Sequence, residues 1–356
     1  MAFDFYKGKK VLITGHTGFK GAWLSYCLLL LGAKPVGYAL EPDTGPALFS
    51  LLGLEREMES HIGDIRDFGP LARAVSDARP DIVIHMAAQP IVRTGYLDPV
   101  GTYETNVMGS VNLLEACRKP DTVRSVVNVT TDKVYENVER DIGYAENEKL
   151  CGRDPYSNSK SCSELVTSCY RQSFFGAKAS AAVSTARSGN VIGGGDFAKD
   201  RIIPDCIRAV LAGMDIAIRN PLSVRPYQHV LECLSGYLLL AEKQYDDKGI
   251  EGSFNFGPGL DDCVTTKMLV ERFCMDWGEG ASYIVQPDGG PHEAGLLRID
   301  ATKANDVLGW KPSWTAEKAV SKTVEWAKAW RDASGPAREI TARQIGEYFM
   351  AAIERM

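Results

Sequence analysis

Apolar residues in the first half of the chain fall into short continuous runs separated by longer amphipathic stretches. Lys10–Thr14 is one such run; a glycine-rich turn follows, and then an apolar helix predicted from Ala22 to Leu31. Pro35–Leu40, the segment just before Asp64, Asp81–Ala87 and Ser125–Thr130 read as further strands, with a sixth over Ala179–Ala186. A helix is predicted over Pro99–Arg118, with an apolar stripe at Val107, Val111, Leu114 and Ala116. Strands alternating with helices predict an α/β fold: a mainly parallel sheet covered on both faces.

After Arg187 this rhythm breaks. Gly193-Gly194-Gly195, Pro204, Pro221, Pro226 and Gly257-Pro258-Gly259 punctuate a mixture of helices and short strands. There is no clean linker, repeat or low-complexity tract. The expected division is therefore a first domain over residues 1–187 and a smaller α/β domain over 188–356, grown from loops at the carboxyl edge of the sheet. Segment 228–256, opening with an apolar helix over Gln228–Lys243, is expected to pack back onto the first domain.

Composition narrows the function classes. Of 356 residues, 40 are Lys or Arg and 46 are Asp or Glu, a formal charge of −6 that gives no reason to expect nucleic-acid binding. The longest apolar stretch, Ala22–Ala33, is interrupted by Ser25 and Tyr26 and falls short of the roughly 20 residues that span a bilayer. The first ten residues lack the apolar core of a secretory signal. The 9 cysteines are scattered singly with no CxxC pair, which reads as reduced, mostly buried thiols in a cytoplasmic protein. The 5 histidines lie too far apart in sequence for metal-ligand spacing.

Gly15-His16-Thr17-Gly18-Phe19-Lys20-Gly21 directly follows the first strand and opens a helix. Glycine permits a tight turn and lets a pyrophosphate approach amide N–H groups at a helix N-terminus, so dinucleotide binding is expected here. Glu41, twenty residues beyond Gly21, stands where an acidic group takes the ribose hydroxyls of NAD; it reads equally as a solvated loop carboxylate. The nearest downstream arginine is Arg56, so no 2′-phosphate clamp is evident and NAD is favoured over NADP, although His16 and Lys20 would suit a phosphate. Asp64 is placed either to meet the adenine edge or to cap a helix.

Tyr156 and Lys160 stand four residues apart, on one face of a helix. A nearby cation stabilises phenolate and lowers a tyrosine from its usual value of about 10, which makes it a usable base. Thr130-Thr131-Asp132-Lys133 ends the fifth strand, at the edge where ligands bind in such sheets. A capping turn is the bland alternative. Arg93, Asn190, Arg201, Arg225, His229 and His292 fall in segments beyond that edge. Arginine's planar fork suits a pyrophosphate, although any one of these arginines also reads as a surface ion pair. His292 either binds substrate or shapes its loop.

These motifs together resemble the extended short-chain dehydrogenase/reductases, and among them the nucleotide-sugar 4,6-dehydratases. GHTGFKGAWL (15–24), AAQPIVR (87–93), TTDKVYEN (130–137), DPYSNSKSCSE (154–164), RSGNVIGGGDF (187–197), RPYQHVLE (225–232) and PHEAGLLRID (291–300) are similar to the branch acting on CDP-glucose. The resemblance covers nearly the whole chain, up to LGWKP (308–312). It implies a Rossmann-type doubly wound sheet with a smaller nucleotide-sugar domain, tightly held NAD and a homodimer. The helices over Pro99–Arg118 and Tyr156–Tyr170 would form the dimer interface, unless both stripes simply cover the sheet.

The resemblance also implies site roles. Gly15, His16, Gly18, Phe19, Lys20, Gly21, Glu41, Asp64, Ile65, Ala87, Ala88, Gln89, Asn106 and Thr130 would border NAD. Tyr156 would take the O4 proton, Thr131 would hold O4, Lys160 would bind the nicotinamide ribose, and Asp132 would protonate the departing C6 hydroxyl. Asn190 and Arg225 would hold the sugar pyrophosphate, with Arg201 and Gln89 as neighbours. Lys133 stands where relatives more often carry glutamate. It acts either as a neutral amine taking the C5 proton or as an ammonium stabilising the enolate. The product would be a 4-keto-6-deoxy sugar nucleotide for deoxysugar biosynthesis, that of lipopolysaccharide O-antigen included. The rival readings are dehydration of another nucleotide hexose, an epimerase or NADP-linked reductase on the same scaffold, and a non-catalytic NAD sensor. Epimerases generally lack the Asp132–Lys133 pair, and sensors usually lose the tyrosine–lysine pair.

Overall fold

The computed structural model of the chain describes residues 4–176, 181–287, 289–290, 294–332 and 337–353. Its centre is a 7-stranded parallel sheet of β1 (Lys10–Thr14), β2 (Lys34–Ala39), β3 (Glu59–Ile62), β4 (Ile82–His85), β5 (Ser125–Val129), β6 (Ala182–Ser188) and β7 (Ser253–Phe256), in the order β7-β6-β5-β4-β1-β2-β3. Neighbouring pairs are parallel throughout. The expected Rossmann-type sheet is thus the observed one. The strand order reverses between β1 and β4, so the crevice for ligands opens above the carboxyl ends of those strands.

Period-two alternation sorts the strand residues between two cores. Val11, Ile13, Ile82, Ile84, Val127 and Val129 face α1 (Phe19–Leu30). Leu12, Val36, Val83, Val126 and Val183 face the opposite layer of α2 (Phe68–Ala78), α3 (Gly109–Cys117) and α4 (Pro155–Phe174). Each fully buried aliphatic side chain is worth about 1.5–3 kcal/mol of transfer free energy, so this two-sided burial holds the sheet.

Beyond β6 come α5 (Ile202–Leu211), α6 (Val230–Asp246), α7 (Thr266–Trp277), α8 (Ala316–Asp332) and α9 (Ala337–Ile353). α5, α7 and α8 enclose a separate apolar cluster that includes Ile203, Ile216, Phe273 and Val320. The chain returns to the sheet as α6, packed against β5 and β6, and then as β7. α9 also reaches back: Arg338 hydrogen-bonds the Leu52 carbonyl, and Ile345 and Tyr348 join the α1 core. No helix among the described residues is long and apolar enough to cross a membrane.

Strand ends shift by a residue or two from expectation, and larger differences occur in four places. α1 starts at Phe19, because the glycine loop itself supplies the helix N-terminus. The helix expected over Pro99–Arg118 is interrupted by a π turn over Glu104–Met108. Gln228–His229 pairs with Val191–Ile192, so α6 begins at Val230. The sixth strand starts at Ala182, and the first two residues of its expected span, 179–180, lie outside the described residues.

Candidate active site

The turn after β1 is built for close approach. Gly15 has φ +77°, and a Cβ there would lie 2.8 Å from the Ala87 nitrogen. A Cβ on Gly21 would lie 2.1 Å from the Gly15 carbonyl, so the helix packs directly on its own loop. Thr17 Oγ1 donates to the Leu40 carbonyl at 2.8 Å and ties the loop to β2. Gly18 caps α1 with no side-chain bond, and the first turn contains no acidic residue. The first helical N–H to return to the loop is Ala22's, 2.8 Å from the Gly18 carbonyl. The preceding N–H groups, with the positive end of the helix dipole, border the cavity lined by Gly15, Gly18, Phe19, Lys20 and Gly21.

His16 faces the other way. Its imidazole is buried under the loop, with Nε2 2.7 Å from Ser60 Oγ and the ring edge-on to Phe49. Burial pulls its pKa down to about 4, and the ring fits only because residue 37 is glycine: a Cβ there would sit 2.3 Å from it. The expectation that His16 borders a cofactor is corrected accordingly, since the histidine supports the loop from beneath.

Glu41, Asp64, Ile65, Ala87 and Ala88 line the β2–β4 side of the cavity. The Asp64 carboxylate is held by Arg66, at 2.9 and 2.6 Å, and lies below its ordinary pKa because of that bond. Gln89 and Asn106 stand behind the wall. Asn106 Oδ1 accepts from the Gln89 N–H at 2.9 Å, and its Nδ2 donates to the Gln89 carbonyl at 3.0 Å and to Ser159 at 2.9 Å. The Gln89 side chain is spent on Ile91 N–H and Thr102. Both residues, expected to touch ligand, instead fix the backbone that follows Ala88. The π turn places Asn106 in that position.

The chemistry-bearing groups meet above β5. Thr130 and Thr131 directly follow β5, and Asp132–Val134 forms one tight turn capped by Thr131. Thr131 Oγ1 donates to Asp132 Oδ1 at 2.9 Å, while Asp132 Oδ2 is buried without a hydrogen-bond partner among the described residues. Lys133 lines the cavity beside it. α4 begins with Asp154 as N-cap, accepting from Ser157 N–H at 3.0 Å, and Pro155 in the first turn. That start aims Tyr156 and Lys160 into the same cavity.

Tyr156 and Thr131 line the cavity together; burial pushes the tyrosine hydroxyl up to about 12, against the pull of the nearby Thr131 hydroxyl and of Arg201. The expected lowering by a neighbouring cation is therefore outweighed in the protein alone. Lys160 Nζ donates to the Val129 carbonyl at 3.2 Å. Burial, aided by the Lys20 charge, pulls Lys160 down to about 8, and Glu164 resists. Glu164 lies one turn below Lys160, where it accepts from Arg187 at 2.8 and 2.9 Å, from Thr185 at 2.7 Å and from Thr130 at 2.5 Å. Both members of the Glu164–Arg187 pair are buried.

The far wall carries Arg93, Asn190, Arg201 and Arg225. Asn190 adopts φ +26°, and its buried Oδ1 lacks a partner among the described residues. Arg201 donates to Asp196 at 2.9 Å, and Arg225 donates to the carbonyls of Val224 and Ala294. His229 is not in the cavity: it caps α6 through Nδ1 and packs edge-on to Trp23 and Trp314, so its expected substrate contact is corrected. His292 lies outside the described residues. The cavity is also lined by Arg66, Ser188, Asp196 and Arg219, none of them among the residues expected from sequence. Arg66 follows Asp64 by two residues and could be found from it; nothing around Arg219 marks it.

Fold and site define a doubly wound α/β enzyme with a dinucleotide loop and a Thr–Tyr–Lys cluster. The chain belongs to the GDP-mannose 4,6 dehydratase family, whose model matches residues 12–323. A CDP-glucose 4,6-dehydratase of Salmonella typhimurium (strain LT2) is 49% identical over 333 residues, 92% of each chain. A dTDP-glucose 4,6-dehydratase of Xanthomonas campestris pv. campestris is 27% identical over 330 residues, 88% of this chain and 92% of that one. Among solved structures, the UDP-glucose 4-epimerase of Thermus thermophilus in complex with NAD has a TM-score of 0.78 and 26% identity, over 91% of this chain and 100% of that one.

Proposed function

We propose that the chain is an NAD-dependent CDP-glucose 4,6-dehydratase, producing CDP-4-keto-6-deoxy-glucose and water. The observation that carries the reading is the junction of two groups at one sheet end: Thr131, Tyr156 and Lys160 line one cavity, with Asp132 and Lys133 next along the chain from Thr131. An epimerase on this scaffold needs the first pair; dehydration needs the second as well. The similarity at 49% identity favours the CDP-sugar.

The residues present fit NAD. A Cβ on Gly18 would meet only the Gly15 carbonyl at 3.5 Å, so the backbone stays open to a pyrophosphate, and Glu41 stands at the ribose end. Bound NAD supplies a hydride acceptor and, later in the same turnover, the donor. The protein does the rest. Tyr156 takes the proton from O4, Thr131 fixes O4 in line with it, and Lys160 holds the nicotinamide ribose. The 4-ketone so formed acidifies C5–H. Lys133 serves C5, as a neutral base or as an ammonium stabilising the enolate. Asp132, whose Oδ2 has no hydrogen-bond partner among the described residues, carries a proton to the C6 hydroxyl, which leaves as water; in the protein alone its carboxyl is fully buried just behind the cavity wall. Asn190, Arg201 and Arg225 hold the sugar diphosphate.

We place the second lobe at residues 188–356, with 228–256 returned to the sheet. The enzyme works as a homodimer through the helical segment over residues 99–118 and α4. These pack together and expose Val100 (67%), Met108 (50%) and Leu165 (58%). A cytoplasmic site accords with 9 cysteines that are all free thiols, and the product would feed deoxysugar assembly such as that of O-antigen.

Incubation with CDP-, dTDP-, UDP- and GDP-glucose, read by mass spectrometry, tests the reading. CDP-glucose should lose one water with no net reduced cofactor. Stoichiometric reduced cofactor, or preferred dehydration of another nucleotide, would overturn it.

A further inference from the structure

Lys20 belongs to the pyrophosphate loop by sequence, but its ammonium does not stay there. Nζ lies 3.4 Å from Ser188 Oγ, at the carboxyl end of β6, and 6.0 Å from the Tyr237 ring centroid. On the sheet's other face, Lys160 Nζ rests 3.2 Å from the Val129 carbonyl at the end of β5. β5 and β6 are neighbours, with Val129 opposite Ala186. Two ammonium groups therefore flank one point of the sheet edge from α1 and α4, and the charge of Lys20 is felt at Lys160. No ion pair is found for Lys20 among the described residues. Its charged surroundings are Asp132 and Asp196, offset by Arg201 and Lys160.

On the proposed reading, the adenosine end of the dinucleotide falls to Glu41 and Asp64, which line the cavity beyond β2 and β3, and the redox end to Thr131, Tyr156 and Lys160, which line it beyond β5. Lys20 reaches towards β6, on the redox side. We infer that Lys20 is a positioning residue of the redox step: its ammonium, paired across the sheet edge with that of Lys160, disfavours the cationic nicotinamide and so biases the bound cofactor towards its reduced form. The inference rests on the proposed NAD dependence. When the C4 alcohol is oxidised, hydride carries two electrons to the nicotinamide, which loses its positive charge, and the O4 proton goes to Tyr156. Repulsion present before the step is relieved by it. At the effective dielectric constant of about 20 found inside proteins, one such repulsion is worth on the order of tenfold in an equilibrium constant.

The test is binding to the purified full-length protein, with no turnover required. Kd for NAD+ and for NADH is measured by calorimetry in wild type, Lys20→Met and Lys20→Arg. Methionine keeps the length and apolar stem and removes the charge; arginine keeps the charge. The ratio Kd(NAD+)/Kd(NADH) should fall about tenfold in Lys20→Met, ~1.4 kcal/mol, and hold in Lys20→Arg. A ratio unchanged in Lys20→Met, or lowered equally in Lys20→Arg, would overturn the charge role while leaving NAD dependence intact. Wild type that binds neither form would instead sink the NAD reading, and this inference with it.

Discussion

Gly189 and Asp132 are in contact such that neither position tolerates growth: a Cβ built on Gly189 would lie 2.0 Å from Asp132 Oδ2. The glycine after β6 thus makes room for the carboxylate after β5, and its substitution acts on the reaction without touching a reacting atom. Gly189→Ala should push Asp132 out of line and cut turnover about 10²–10⁴-fold, the usual cost of losing a general acid. Steady-state kinetics on CDP-glucose check this; near-normal turnover would remove Asp132 from the acid role.

Asp132→Asn keeps the shape and removes the proton donor, so oxidation at C4 proceeds and reduced cofactor accumulates on the enzyme. Tyr156→Phe blocks oxidation and shows none. Rapid-mixing absorbance separates the two, and the reverse pattern would invert the assignments.

Lys160 is stressed by its burial. Its pKa in the folded chain is about 8 against 10.5 for the free group. Below about 8 the lysine is charged in both folded and unfolded chains, so the burial penalty is complete; as pH rises to 10.5 the folded form is already neutral and the penalty disappears. Lys160→Met should therefore raise the melting temperature of cofactor-stripped protein at neutral pH by several degrees. That gain should shrink through this window while activity is lost. Thermal melts across pH decide it, and a gain that is constant with pH would contradict it.

The Glu164–Arg187 pair beneath the site is buried at both ends. Arg187→Met alone strands the carboxylate and should cost about 3–5 kcal/mol. The double variant with Glu164→Leu should lose less than the two single losses added together. Urea unfolding measures all three; strict additivity would deny the coupling.

Met108 and Leu165 are half-exposed on the helices assigned to the dimer. Met108→Asp with Leu165→Asp should convert a dimer to a monomer at micromolar concentration, read by light scattering. A wild-type monomer mass would refute the interface.

The middle of the sheet is legible in sequence because β1, β4 and the start of β5 are continuous apolar runs, as strands buried on both faces require. The edges are less so. The strand just before Asp64, Glu59–Ile62, has no apolar run to fix its bounds, and Ser253–Phe256 is a four-residue stretch of mixed polarity made a strand by pairing with β6. The Tyr156–Lys160 spacing and the Thr131–Lys133 run are readable because helix and strand ends fix where such side chains point. The histidines mislead. Sequence shows what the imidazoles of His16 and His229 can bind, whereas burial decides what they meet, and burial depends on Gly37, Trp23 and Trp314, all remote from them along the chain or hidden by the fold. Asn106 and Gln89 occupy the expected neighbourhood but one layer further from the cavity, because the π turn that directs Asn106 leaves no trace in hydrophobic periodicity.

The groups that would move protons stand on β5, its following turn and α4, all anchored in the doubly covered sheet, whereas Asn190, Arg201, Arg219 and Arg225 stand on the connections after β6. Inheritance of the two can therefore be uncoupled. An insertion within α4 rotates Tyr156 away from Lys160 and Glu164 and ends the chemistry. Drift in the connections between residues 189 and 225 re-dresses the far wall and leaves the reaction centre standing. Lineages on this scaffold can diversify in the sugar nucleotide they accept while transmitting one reaction core, and the stretch after β6 is where a breeder of new preferences should recombine first.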